Sequence, residues 1–169
     1  YNASATQEDG SCDYCSCGEV TGGGLAYTTT HSQYGLEIDE VAVHTSGALA
    51  GMKTYRLYVT LENVDDAAIS FTGNDVFAMS LITTTSFYQE QIFGGATPAT
   101  SSVALLSLIP DLAFDSWVTV GIDGPASGSE ADATLLPGDW ISTFEAGNSF
   151  LVNDGVGSGW YILPPTAPN

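Results

Sequence analysis

From Leu36 onward, apolar and polar residues alternate in short runs separated by turn-forming clusters. The clearest run is Thr54 to Glu62. Tyr55, Leu57, Val59 and Leu61 fall on one face and Arg56, Tyr58, Thr60 and Glu62 on the other, the period of two that a half-buried strand requires. Further strands are predicted at 36–43, 67–72, 76–83, 103–109, 116–122, 140–145, 149–152 and 159–163. They are separated by clusters such as Gly73-Asn74-Asp75, Gly124-Pro125 and Pro137-Gly138-Asp139. Within 103–109, Val103-Ala104-Leu105-Leu106 could instead form a helical turn. No long segment shows the apolar period of an amphipathic helix. Many short strands with glycine-rich turns and no covering helices predict an all-β domain over 36–163, an antiparallel β-sandwich or jelly roll.

The two ends depart from this pattern. Residues 1–35 combine Gly10, Gly18, Gly22, Gly23 and Gly24 with Ser, Thr and all three cysteines, and they carry little sustained apolar periodicity. They read as an extended Gly/Cys-rich arm with a glycine hinge. Pro164-Pro165-Thr166-Ala167-Pro168-Asn169 reads as a linker or tail in polyproline geometry. The start at Tyr1 rather than Met is read as that of a processed or excised piece of a longer polypeptide.

Composition narrows the function classes. The chain has 169 residues, with 20 Asp and Glu against 2 Lys and Arg, a formal net charge of −18. Phosphate binding works through clusters of cations that release counterions, and Lys53 and Arg56 cannot form one, so nucleic acid is excluded as a partner. An anionic membrane surface is excluded on the same ground, and no apolar run reaches the roughly 20 residues of a membrane span. A hydrophobic content of 44% supports a core that acidic disordered tails lack. Only 13% of residues are charged, so the surface must be wetted mainly by Ser, Thr, Gly and Asn. The start at Tyr1 and the cysteine usage fit an exported, extracellular protein.

Cys12, Cys15 and Cys17 crowd into one short segment. The expectation is disulfide stapling of the arm, with the odd cysteine bonded to a partner or left as a thiol. Zinc is the less favoured alternative, because three thiols without a nearby fourth ligand do not complete a tetrahedron. Gln7-Glu8-Asp9-Gly10-Ser11-Cys12-Asp13 places acidic oxygens around a glycine, and Asp9 and Asp13 could contribute to calcium binding. A plain disulfide-anchored turn is preferred there, and no cofactor is otherwise expected. Asp65-Asp66, Asp75 and Asn153-Asp154 read as turn acids that cap strands, with ion binding second.

No catalytic residue is assigned. Glu37-Ile38-Asp39-Glu40 invites comparison with the Glu-x-Asp-x-Glu strand of laminarinase-type glycoside hydrolases, but position 41 is Val41 and Glu40 points the other way. The two opposed carboxyls of a retaining mechanism are therefore not supplied. Gly155-Val156-Gly157-Ser158-Gly159 lacks the register of a nucleophile elbow. His31 and His44 are read as surface or strand-edge residues rather than a metal pair. Trp117 belongs to the core by alternation with Val118 and Val120, whereas Trp140, Trp160 and Tyr161 near turns could form a sugar-stacking platform. Asn2-Ala3-Ser4 fits an N-glycosylation acceptor. Thr28-Thr29-Thr30, Thr83-Thr84-Thr85 and the run from Thr97-Pro98 to Ser102 are hydroxyl clusters of the kind that carry O-linked sugar.

The opening Tyr1-Asn2-Ala3-Ser4-Ala5-Thr6-Gln7-Glu8-Asp9-Gly10-Ser11-Cys12 resembles the second half of short Cys repeats in large secreted surface proteins of aquatic bacteria. In those repeats Tyr-Asn, Ala-Thr and Asp-Asp-Gly-Ser-Cys recur, and Glu8 here takes the place of the first Asp. The segments Thr54-Tyr55-Arg56-Leu57-Tyr58, Thr85-Ser86-Phe87-Tyr88-Gln89, Gly94-Gly95 and Pro110 to Gly121 resemble uncharacterised modules of similarly large extracellular proteins of aquatic microbes. The resemblance covers most of 50–160 and implies secretion and modular repetition.

These readings converge on a structural, non-enzymatic subunit of an extracellular filament or surface layer, glycosylated and partnered by its own copies. Head-to-tail assembly by addition of the N-terminal arm as an edge strand is the expected route. A carbohydrate-binding module of a large secreted protein is the alternative.

Overall fold

The structure, a computed structural model, describes residues 34–163. The chain divides between Ala67 and Ala68 into two units, inside the span expected as one domain. The cysteines, the loop containing Asp9 and Asp13, Asn2, Thr28, Thr29, Thr30, His31 and the proline-rich tail lie outside the described residues.

In the first unit, the alternating segments form strands β1 (Gly35–Val43) and β2 (Lys53–Thr60), paired antiparallel with Leu36 opposite Val59, Ile38 opposite Leu57 and Glu40 opposite Tyr55. Directly opposed residues share a face. One face therefore carries Leu36, Ile38, Tyr55, Leu57 and Val59, and the other Glu37, Asp39, Arg56 and Tyr58. The register shifts between Glu40 and Ala42, which leaves Val41 as a bulge. The connecting loop is closed by His44 N–H to Met52 O (3.0 Å) and Gly51 N–H to His44 O (2.8 Å).

The second unit contains β3 (Ser70–Gly73), β4 (Met79–Leu81), α1 (Val103–Leu108), β5 (Thr134–Leu136), α2 (Asp139–Glu145), β6 (Phe150–Val152) and β7 (Ser158–Tyr161). Short 3-10 turns occupy Pro98–Thr100 and Pro110–Phe114. The strands form an antiparallel sheet in the order β3-β7-β5 and a second pair, β4-β6. The protein is β-rich, built from small antiparallel sheets with few helices.

Strands β3 and β4 run against β7 and β6, and both sides of this ribbon are interrupted at the same level. The last pair on one side is Gly73 opposite Ser158, and the next is Met79 opposite Val152. Between them, 74–78 and 153–157 loop out. The entries to the two loops match in sequence, Phe71-Thr72-Gly73-Asn74-Asp75 and Phe150-Leu151-Val152-Asn153-Asp154, a repeated Phe-x-x-Asn-Asp segment. Asp75 N–H donates to Asp154 O (2.9 Å) and ties one loop to the other. Gly157 is required here twice over: its φ is +76°, and a Cβ would lie 2.9 Å from Gly73 O.

The core of this unit is aromatic. Trp140, Phe144, Phe150, Val152, Val118 and Ala96 are buried together, flanked by Met79, Leu81, Phe87, Leu135, Ile141 and Trp160. Ring centroids of Trp140 lie 5.1 Å from Phe150 and 5.4 Å from Trp160, and Phe144 meets Phe87 edge-on at 5.0 Å. The buried indole of Trp140 donates to Ser158 Oγ (2.8 Å), which itself lies 2.7 and 2.8 Å from the carbonyls of Leu136 and Pro137.

Three sequence expectations change. Residues 140–145 form helix α2 rather than a strand, because Trp140 and Phe144, four apart, reach the same core from one helical face. Gly138 offers no side-chain cap, so burial rather than capping holds that helix. Residues 103–108 adopt the helical alternative, with Ser102 Oγ accepting from Leu105 N–H (3.2 Å). Residues 116–122 keep the alternation, with Val118 and Val120 buried, but they join no ladder; Val118 N–H donates to Ala96 O (2.8 Å). Strand β5 was not anticipated.

Phe144 is 1% exposed. Replacement of Phe144 by Ala should cost about 3–5 kcal/mol, as for other large aromatic-to-alanine changes in packed cores, measured as a shift in the denaturant midpoint of the second unit. A change below about 1 kcal/mol would contradict the core described above.

Candidate functional site

The segment that follows β4 leaves the sheets, and its backbone groups are satisfied by side chains from elsewhere in the second unit. Asp115, 7% exposed, accepts from Glu90 N–H at Oδ1 (2.7 Å) and from Gly95 N–H (3.2 Å) and the Trp117 indole (2.9 Å) at Oδ2. Glu145, at the end of α2, accepts from Ala96 N–H (3.1 Å). Glu90 turns back on its own loop and takes the N–H groups of Ile92 (2.9 Å) and Phe93 (2.6 Å). Tyr88 O accepts from Ser116 N–H, and Gln89 Nε2 donates to Ser116 O (3.2 Å). Gly94 cannot be exchanged: a Cβ there would collide with Glu90 O and lie 2.9 Å from Asp115 Oδ2.

This arrangement surrounds a cleft of about 300 Å³ lined by Gln89, Glu90, Gln91, Gly94, Gly95 and Glu145. Its chemistry is that of carboxamides, carboxylates and glycine backbone, with no aromatic ring and no cation in the lining. Backbone N–H bonds from Phe93 and Ile92 hold the Glu90 carboxyl below the usual range. Burial pushes Asp115 up against the opposing effect of its donors. Two carboxyls moved apart in this way are what an acid and base pair would show. Both Asp115 oxygens, however, are occupied by donors, and the residue is not part of the cleft lining. The carboxylates here position a loop.

The other sequence candidates are dispersed. Glu37 and Asp39 share the polar face of β1, and Glu40 lies opposite them in a salt bridge to Lys53 (2.6 Å). His44 Nε2 is 2.8 Å from Thr54 Oγ1. Trp140, 3% exposed, is a core residue and presents no face for stacking, which corrects its place in a sugar platform. Trp160 is half-buried, stacks on Phe71 at 5.3 Å and donates to Thr119 O (3.2 Å), and Tyr161 is half-buried beside it in β7. Trp117, expected in the core, is only half-buried and is engaged by Asp115. Thr84 and Thr85 are exposed, whereas Thr83 is half-buried with its hydroxyl accepting from Thr85 N–H (3.2 Å).

The turn acids behave as backbone acceptors. Asp66 takes Asn63 N–H (3.1 Å), which lowers its carboxyl, and Asp154 takes the N–H groups of Val156 (2.9 Å) and Gly157 (2.8 Å). Among the described residues no group of three or more His, Cys, Asp and Glu is placed to hold a metal ion, and no helix is long and apolar enough to cross a membrane.

Comparisons with family models, with curated proteins and with solved structures return no match for this chain. The site residues are therefore defined by geometry. Sequence reasoning passed over Glu90, Asp115 and Glu145; the available signals were the paired Gly94-Gly95 and the Asp115-Ser116-Trp117 run, whose partners are distant in sequence.

Replacement of Asp115 by Ala leaves three N–H donors without their acceptor and should cost about 3 kcal/mol or more. The pH dependence has a definite sign. Because the folded carboxyl is raised, the stability linked to its neutral form is complete below the unfolded value and is lost as pH rises through the folded value. The stability advantage of wild type over Asp115→Asn should thus shrink on going from about pH 4 to neutrality, read by denaturant unfolding; growth of the gap over that interval would refute the assignment.

Proposed function

We propose that this chain is a structural, non-enzymatic module of an extracellular assembly whose principal partners are copies of itself. The observation that carries the reading is the imbalance in the first unit. Among its described residues one large apolar side chain, Leu49, is buried, whereas nine are exposed: Tyr34, Val41, Val43, Met52, Tyr55, Leu57, Tyr58, Leu61 and Val64. A two-stranded ribbon is marginal in water without a covered face, and a monomer seldom leaves such an apolar surface open. Contact with a neighbour supplies the cover.

The ladder pattern supports the same reading. Among the described strands β1 and β2 have only each other as partners, so an arm drawn from residues 1–35 of a neighbouring copy can add beside them as an edge strand. The second unit, with its three-stranded sheet and second strand pair around one aromatic core, is read as a small open sandwich. Secretion, disulfide stapling of Cys12, Cys15 and Cys17, and sugar on Asn2 and the threonine clusters complete the proposal. Among the described residues of those clusters, Thr84, Thr85, Thr100 and Ser102 are exposed.

A second reading, glycan binding, is favoured by the polar cleft rather than by Trp140. Carboxamides and carboxylates beside glycine backbone suit a hydroxyl-rich ligand, and Gln91→Ala or Glu145→Gln would weaken such binding in a calorimetric titration with neutral oligosaccharides.

With −18 on every subunit, self-association must overcome like-charge repulsion. Oligomers and filaments should therefore increase with protein concentration and with ionic strength as the Debye length falls from about 30 Å at 0.01 M to about 8 Å at 0.15 M. Electron microscopy and sedimentation velocity check this. A species that stays monomeric at every concentration and salt would end the structural reading.

A further inference from the structure

The chain passes from the first unit to the second through a short stretch that is braced on both sides but not along itself. On one side Asp66 accepts from Asn63 N–H (3.1 Å) and Asn63 Nδ2 (3.0 Å), and Asp66 N–H donates to Asn63 O (3.0 Å). On the other, the carbonyl of Ile69 accepts from Ile162 N–H (2.9 Å) just before β3. Between these anchors Ala67 and Ala68 belong to no helix or strand, and their backbone groups make no hydrogen bond among the described residues. Ala67 is exposed, as are Val64, Asp65 and Ile69 around it. Exposed small residues with unbonded backbone, at a division between units, are where a folded chain is most readily nicked.

The longer loops elsewhere are held internally. His44 and Met52 close 44–52, Asn74 Oδ1 and Asp154 Oδ1 brace 74–78 and 153–157, and Asp115 holds the segment around Glu90 and Gly95. Thr83 N–H donates to Ser149 Oγ (2.9 Å). Residues 126–132 are closed by Ala126 N–H to Asp132 Oδ1 (3.2 Å) and Ser127 N–H to Glu130 Oε2 (2.9 Å). A protease takes its substrate as an extended strand paired through the backbone. In each of these loops internal bonds must open first, whereas the peptide between Ala67 and Ala68 has none of its own to lose.

We propose that the Ala67–Ala68 peptide bond is a processing site for an endopeptidase whose specificity pocket takes a small aliphatic side chain. Enzymes that cut after Lys or Arg are excluded by placement. Lys53 and Arg56, the chain's only two such residues, lie in β2 opposite Val43 and Asp39 of β1, where the ladder withholds the backbone. Ala67 before the cut suits a shallow pocket of the elastase type. Asp65 and Asp66 precede it, so the enzyme's adjoining subsites are basic or neutral rather than acidic. Hydrolysis adds one water across the bond and leaves a carboxylate on Ala67 and an ammonium on Ala68. All three cysteines precede the bond, so no disulfide within the chain retains fragment 68–169 on fragment 1–67. The cut detaches the second unit from the β1–β2 ribbon, and it does so whether or not copies of the chain associate.

Limited proteolysis of the full native chain tests the site, with fragments assigned by mass spectrometry; cuts within 1–33 or 164–169 trim the ends and are set aside. Pancreatic elastase should make its first cut within 34–163 after Ala67. Trypsin should leave 34–163 of wild type intact and should cut the Ala67→Arg variant at this bond, at least roughly tenfold faster than at Lys53 or Arg56. Ala68→Pro should slow elastase here by at least roughly tenfold, because proline fixes φ and takes away the N–H, and no donor used by the fold is lost. Ala68→Ser keeps the N–H and should be cut like wild type. Circular dichroism before digestion shows that each variant is folded, and the Ala67→Arg result stands alone if the proline variant is not. A first elastase cut elsewhere in 34–163, or none there, would overturn the site. So would an Ala67→Arg variant that trypsin leaves whole, a folded Ala68→Pro variant cut as fast as wild type, or wild type cut by trypsin at Lys53 or Arg56 as fast as the arginine variant is cut. A bond open in the native state is cut at a rate nearly independent of dilute urea; a rate that climbs with urea in step with global unfolding would likewise overturn the proposal.

Discussion

The hydrogen bond from the Trp140 indole to Ser158 Oγ satisfies a buried polar group beside the aromatic cluster, and the second unit is arranged around it. The serine hydroxyl sits against the carbonyls that end β5, receives the indole of α2 and belongs to the first residue of β7. A short helix with no side-chain cap is thereby fixed to two strands that would be too short to persist alone. Once α2 is set, its last residue, Glu145, reaches Ala96 beside Gly95, which Asp115 also holds, while the other Asp115 oxygen takes Glu90 N–H at the far end of the loop.

The same economy governs the charges. With 20 acids and 2 cations, ion pairing cannot neutralise the surface, even with Lys53 bridged to Glu40. The carboxylates instead find backbone N–H groups. Asp66, Glu90, Glu130 and Asp154 each accept from residues two or three positions away, and Asp115 and Glu145 do so across long loops. These acidic side chains act as substitutes for secondary structure, satisfying donors that no strand or helix engages.

The strands were legible where alternation is strict and the partner is close. β1 and β2 fall within a residue or two of the expected 36–43 and 54–62, because each has one apolar and one polar face. The segment 140–145 misled because a two-turn helix with aromatics at both ends has too little sequence to display its period, and tertiary burial decided its form. Trp140 was misplaced for the same reason: its neighbours Gly138 and Asp139 signal a turn, but the turn leads inward. The Asp115 cradle was illegible because its donors, Glu90 and Gly95, lie 25 and 20 residues away. The turn roles of Asp66 and Asp154 were readable because side-chain bonding to the local backbone depends only on near neighbours.

Backbone-held carboxylates respond to their medium differently from ion pairs. A salt bridge weakens as electrolyte is added, whereas a short N–H bond made within three residues has no long-range attraction to screen. What electrolyte does screen here is the mutual repulsion of uncompensated acids, the main electrostatic force opposing compactness. The reliance of Glu90 and Asp154 on their own loops therefore makes brine a stabilising medium and dilute water the demanding one, the reverse of what a chain stitched together by lysine and glutamate would experience.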